Sequence, residues 1–314
     1  MIIHVLLFIV GVALLSKGSD VLIDNASLLG LRINISPIII GITIVAFGTS
    51  LPELVVSLQA VFTKSGELAF GNIVGSNISN IALILGVAAL IKPVKVDPSV
   101  IRKELPFLIV SAVILLLLSL DKVLGFWDGL VMLACFVFFM YFSIKNRLIA
   151  PGASQNADED IQAARQAKMG KTVLLVVVGL LAVMFGAQLT VSNAVKIALY
   201  LGVSKLVIGL SVVAIGTSLP ELAASVAASL KEKGDISLGN VVGSNIFNTF
   251  LILALAAVCR PIPVTAHALA FELPVMLLFS LFVLLIMTSG YVITRMEGLI
   301  MVLSFITFLI MIFL

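Results

Sequence analysis

The sequence predicts an all-α membrane protein of ten transmembrane helices, built as two inverted five-helix repeats, and three observations lead there. Of the 314 residues, 61% are hydrophobic and only 11% charged, too few polar groups to cover a water-soluble globule. The apolar residues fall in ten runs, each near the roughly 20 residues that a spanning helix needs. Residues 37–93 match residues 205–261 at 28 of 57 ungapped positions, where shared apolar composition alone would give about a tenth. A soluble enzyme and a disordered scaffold are excluded.

The runs lie at about 2–28, 37–63, 68–91, 104–120, 126–144, 172–198, 206–230, 236–259, 268–288 and 296–314. The first has no basic region ahead of it and no small-residue cleavage site before Lys17, so it reads as a retained helix and not a signal peptide. Five runs per copy is an odd number, which turns the second copy over in the bilayer. The expected divisions are a first repeat at 1–144, a connecting loop at 145–171 and an inverted repeat at 172–314. The loop carries Pro151, Gly152 and the acidic run Asp158, Glu159 and Asp160 without EF-hand spacing, so it reads as a solvated linker.

Charge gives the orientation. With the N-terminus outside, 13 basic residues fall in inner loops, among them Lys92, Lys95, Arg102, Lys103, Lys231 and Lys233, whereas the outer loops hold Lys64, Lys122, Lys205 and Arg260. The positive-inside rule then puts both termini outside the cell membrane and the 145–171 loop in the cytoplasm. Basic residues spread this way call for a lipid bilayer and no nucleic acid. Cys135 and Cys259 lack metal-binding spacing and read as core filler, and His4 and His267 as interfacial side chains.

Chemistry enters with the acids. Glu53 is the sole ionisable residue between Arg32 and Lys64, and Glu221 the sole one between Lys205 and Lys231. A charge at mid-bilayer costs about 2.5 to 3.5 kcal/mol on insertion scales, so an intramembrane carboxylate is a functional candidate from the start. Each follows a proline, Pro52 or Pro220, which takes the helical partner from the carbonyl of Gly48 or Gly216 and opens the helix there. Four-residue spacing then lines up Thr49, Glu53 and Ser57; Thr217, Glu221 and Ser225; Asn72, Ser76 and Asn80; and Asn240, Ser244 and Asn248. These stripes offer only oxygen and amide groups, which select hard cations such as Ca²⁺, Na⁺, Mg²⁺ or Mn²⁺ over zinc or copper. Packing between helices is the plainer role for the serines and asparagines. Glu104 and Glu272 read as interfacial anchors, and the absence of a nucleophile–base pair argues against an enzyme.

The two Gly48–Leu54 and Gly216–Leu222 segments, both GTSLPEL, and the GNxVGSNIxN segments at 71–80 and 239–248 resemble the paired α-repeats of the sodium/calcium exchanger family, prokaryotic type, within the cation/calcium antiporter superfamily. The resemblance spans essentially the whole chain. It implies a secondary active antiporter exchanging Na⁺ for Ca²⁺ by alternating access, without a cofactor, through four cation sites among the second, third, seventh and eighth helices. By position it implies Glu53 and Glu221 as bridging carboxylates and hydroxyl or carbonyl oxygens from Thr49, Ser50, Thr217 and Ser218. It further implies Ser76 and Ser244 at flanking sodium sites, the carbonyls of Ala46 and Ala214 serving sodium, and the first and sixth helices as an inclined, sliding pair. Asn80 and Asn248 complete the set. Prokaryotic exchangers often carry Asp where this chain has Asn248, so at most two negative charges reside here. A H⁺/Ca²⁺ antiporter using the same glutamates is therefore the alternative, with a cation channel behind it.

Overall fold

The computed structural model describes residues 1–145, 167–202 and 216–313. It is helical apart from four two-residue strands. Among the described residues seven helices are long and apolar enough to cross a membrane, or eight if a bent pair counts as one span. In chain order the helices are α1 (Ile2–Arg32), α2 (Pro37–Thr49), α3 (Leu51–Phe62), α4 (Gly66–Ile91), α5 (Pro98–Lys103), α6 (Leu105–Leu118) and α7 (Phe126–Lys145). There follow α8 (Met169–Tyr200), α9 (Leu219–Leu230), α10 (Gly234–Cys259), α11 (Ala268–Gly290) and α12 (Arg295–Phe313). At 12 and 14 residues, α9 and α6 are shorter than a full span. Most of the connecting loop, together with the 203–215 stretch expected to begin the seventh span, lies outside the described residues.

Residues 168 apart repeat their backbone geometry. Left-handed turns follow α1 at Asn34 and α8 at Gly202, and follow α3 at Lys64 and α9 at Glu232. Asparagine and glycine tolerate that conformation, and the lysine and glutamate are held in it by closing bonds. In each of those later turns the next amide reaches back five residues, from Ser65 to Ala60 and from Lys233 to Ala228, both at 2.8 Å. The strands cross between the copies: β1 (Val94–Lys95) pairs antiparallel with β4 (Val292–Ile293), and β2 (Val123–Leu124) with β3 (Ile262–Pro263).

Two kinds of close approach set the packing. Helices α1 and α8 run antiparallel, with Gly11 against Gly186 and Gly18 against Gly179. A Cβ on Gly186 would sit 2.6 Å from the Leu15 amide nitrogen, and one on Gly179 2.7 Å from that of Leu22, so bare backbone is what lets them touch. At the centre, Gly41 of α2 lies with its Cα beside that of Gly239 of α10. Around that contact α4 and α10 are the most buried helices, and α11 and α12 cover them.

The helices also carry π-turns at Gly41–Val45, Asn80–Leu85, Asn248–Leu253 and Ala268–Glu272. A 3.6-residue reading of the sequence does not anticipate them, since each inserts one residue into the regular ladder. Two expectations for single residues need correcting. Cys259 is exposed at the end of α10 and fills no core, and Glu104 is fully buried at the start of α6.

Candidate cation site

Pro52 and Pro220 do break their helices. The chain bends by 45° between α2 and α3, with Ser50 at φ −83°, ψ 4°, and Ser218 repeats the conformation at φ −86°, ψ 5°. Each break throws a Thr-Ser pair and, one turn on, a glutamate into the centre of the protein. Glu53 and Glu221 are 0% and 1% exposed.

A neighbouring asparagine fixes each break. The Asn72 side-chain amide donates to Ser57 Oγ at 3.1 Å and to the Glu53 carbonyl at 3.5 Å. Asn240 does the same to Ser225 Oγ at 2.9 Å and to the Glu221 carbonyl at 3.2 Å. The stripes read from the sequence therefore join in pairs, one α4–α3 and one α10–α9.

Glu221 is held from the other half and Glu53 from its own, and hydroxyls from the two halves meet between them. Ser50 Oγ donates to Glu221 Oε1 at 3.1 Å, and Thr49 faces the same carboxylate while its hydroxyl lies 3.2 Å from Asn240 Oδ1. Ser76 Oγ donates to Glu53 Oε1 at 3.4 Å, Ser218 Oγ to Ser76 Oγ at 3.4 Å, and Thr217 faces Glu53. Both carboxylates are thus gripped by hydroxyls in the buried interior. Among the described residues neither has a Lys, Arg or His partner.

Several buried polar atoms have no partner among the described residues: Glu53 Oε2, Glu221 Oε2, Ser244 Oγ, both amide atoms of Asn80, and Asn248 Oδ1. Burying carboxylate oxygens unpaired costs several kcal/mol per ion, a cost that a bound cation would offset. Hard oxygen donors fit Na⁺ or Ca²⁺. Among the described residues there is no cluster of three or more His, Cys, Asp or Glu, as softer or fully carboxylate-caged metals would require. The Ala46 carbonyl borders the cluster through Thr49 and Ser50, accepting the Ser50 amide at 3.0 Å. Ala214 lies outside the described residues.

One part of the centre escapes sequence reasoning. Asn248 Nδ2 donates to Asn77 Oδ1 at 3.1 Å, and Asn77 Nδ2 donates to Thr249 Oγ1 at 2.9 Å, tying α4 to α10 behind the carboxylates. Asn77 sits one residue off the Asn72–Ser76–Asn80 stripe. Its presence in both GSNI segments was the available signal.

The two ends of the site differ. A cavity of about 480 Å³ lies beside it, between α3, α8 and the start of α9, lined by Pro52, Val56, Gln188, Ser192, Thr217 and Pro220 among others. At the opposite end α1 packs on α9, and Ala224, 0% exposed, shares a buried cluster with Leu22, Ile23 and Ala26 of α1.

Comparison with known proteins agrees with this geometry. The family model described as sodium/calcium exchanger protein matches residues 3–145 and 171–314. The putative antiporter CaxA of Alkalimonas amylolytica is 37% identical, over 98% of this chain and 97% of its own length. The sodium/calcium exchanger MaX1 of Methanosarcina acetivorans is 33% identical over 99% of both. A solved structure of the sodium-calcium exchanger NCX_Mj, soaked with zero Na⁺ and Ca²⁺, superposes with a TM-score of 0.85 at 33% identity, covering 98% of each chain. A duplicated helix break that buries two uncompensated glutamates, in a multi-pass membrane fold matched from end to end, makes this chain a member of the sodium/calcium exchanger family, an ion antiporter and not an enzyme.

Proposed function

We propose that the protein exchanges Na⁺ for Ca²⁺ across the cell membrane by alternating access, with both ions competing for oxygens between Glu53 and Glu221. One observation carries the reading: each carboxylate is anchored through one oxygen to a hydroxyl and leaves its second oxygen unpartnered in the buried centre. Two carboxylates neutralise one Ca²⁺, and the same oxygens serve Na⁺ in its absence. In this reading Thr49, Ser50, Thr217 and Ser218 complete the central coordination. Ser76, Ser244, Asn80 and Asn248 flank it, and the carbonyls of Ala46 and Ala214 serve sodium. The ions are cargo, and no cofactor takes part.

The architecture belongs to the same proposal: ten spans as two inverted repeats, 1–144 and 172–314, joined by a cytoplasmic 145–171 loop with both termini outside. Antiparallel α1 and α8, the matched breaks and the crossed strand pairs support it. In that orientation the cavity beside Thr217 opens the site toward the outside, and α1 on α9 closes it toward the cytoplasm. Exchange follows when α1 and α8 move together and reverse those two contacts.

The rival coupling ion is the proton, favoured by Asn248, which leaves two acids and a site that two protons would neutralise. Radiolabelled calcium uptake into reconstituted vesicles under imposed sodium, potassium and proton gradients separates the two. Uptake that follows an outward sodium gradient is the expected result. Uptake that follows pH and ignores sodium assigns the coupling to protons.

A further inference from the structure

We infer that Asp20 and Asp24 of α1, with Lys231 and Lys233 of the α9–α10 turn, form a one-sided ionic latch that holds one end of the molecule closed and biases it toward the state seen here. The inference rests on the alternating-access reading for its consequence, though not for its geometry.

Lys231 Nζ lies 2.6 Å from Asp24 Oδ2 and 3.4 Å from Asp20 Oδ1, and Lys233 Nζ lies 3.2 Å from Asp24 Oδ1. Glu232, between the two lysines, pairs with Lys92 at the end of α4 at 2.6 Å. That second pair fastens the turn to the other half of the chain. The turn is thus fixed to the body of the protein, and α1 is fastened to the turn.

The 168-residue offset supplies an internal control. The equivalents of Asp20 and Asp24 are Gln188 and Ser192, those of Lys231 and Lys233 are Thr63 and Ser65, and those of Glu232 and Lys92 are Lys64 and Arg260. Every attractive pair at one end is replaced by neutral or like-charged residues at the other, and among the described residues Lys64 and Arg260 make no ion pair. The packing differs in step. Gln188 and Ser192 line the cavity where α8 stands away from α3, and Val56 there is 39% exposed. Its equivalent, Ala224, is 0% exposed, in a buried cluster with Leu22, Ile23 and Ala26 of α1.

Opening the latched end draws Asp24 away from both lysines, whereas closing the other end brings no charges together. The bias therefore has one direction. Half-exposed pairs are individually weak, so a few of them shift the equilibrium several-fold without trapping it. Chloride salts of an untransported cation should weaken the latch by screening.

The test uses the full chain in lipid nanodiscs, with Cys135→Ala and Cys259→Ala, carrying one reporter, Val56→Cys or Ala224→Cys, and a membrane-impermeant maleimide. Asp24→Asn is expected to raise labelling at position 224 about 3- to 10-fold and to lower it at position 56, while Asp24→Glu keeps the parental rates. Building the mirror-image latch with Gln188→Asp, Ser192→Asp, Thr63→Lys and Ser65→Lys is expected to move both rates the same way as Asp24→Asn, and stands in if that variant does not fold. Labelling within about twofold of the parent in both variants overturns the latch. The labelling needs no ion flux, so a protein that fails to exchange sodium for calcium yet shows these shifts keeps the latch and loses only the antiporter reading.

Discussion

Glu221→Gln isolates the charge of one site carboxylate from its shape. Glutamine keeps an Oε1 that accepts the Ser50 hydroxyl, now at 3.1 Å, and puts an NH₂ in place of the unpartnered Oε2. The fold is therefore expected to survive, while the central charge falls from −2 to −1 and a donor points at the cation. Removing one member of a buried charge pair costs about 2 to 5 kcal/mol. At 1.4 kcal/mol per decade that is roughly a 30- to 4,000-fold loss of Ca²⁺ affinity. Coulomb energy scales with ion charge, so the Na⁺ loss should be about half as large in free energy. Calorimetric titration of the purified protein reads both, and sodium-driven calcium uptake should fall to background. Glu53→Gln should behave alike, because Ser76 anchors its Oε1 and its Oε2 is likewise unpartnered. A Ca²⁺ affinity within about threefold of the parent in either variant would refute the assignment of these carboxylates to the ion.

Asn240→Ala removes the donor to Ser225 Oγ and to the Glu221 carbonyl, and should cost about 1 to 3 kcal/mol, seen as a lower melting temperature of the solubilised protein. Gly186→Val drives a side chain into the Leu15 nitrogen and the Gly11 carbonyl, neither of which can yield, so uptake should be lost. Gly170→Ala, on the same helix with nothing within 4 Å, should leave uptake unchanged. Pro52→Ala returns an N–H to the Gly48 carbonyl and favours a straight helix. The expected result is a raised melting temperature with reduced uptake, a trade of transport for stability.

Much of this centre was legible in the residues because the physics there is one-dimensional. A lone carboxylate in an apolar run, a proline before it and hydroxyls at four-residue spacing need no tertiary information, and the duplication doubled each signal. The stripes holding Asn72, Ser57, Asn240 and Ser225 were readable from spacing, whereas the bonds that join them depend on how the helices pack. What stayed hidden depends on how the halves meet. Nothing in the chain says that Ser50 reaches the glutamate of the other half and not its own, since that follows from the Gly41–Gly239 contact. The π-turns beginning at Asn80 and Asn248 change the helix register by a residue that no apolar period records. Nor could a symmetric pair of motifs distinguish the two ends, because the residues that differ there, Asp20 and Asp24 against Gln188 and Ser192, lie outside the repeated motifs.

The crossed strands bear on what joins the two halves. Because β1 pairs with β4 and β2 with β3, each half closes short strand edges of the other at two separate points. The halves are therefore stitched together by hydrogen bonds as well as by the chain that runs between them, and cutting that chain would leave both stitches in place.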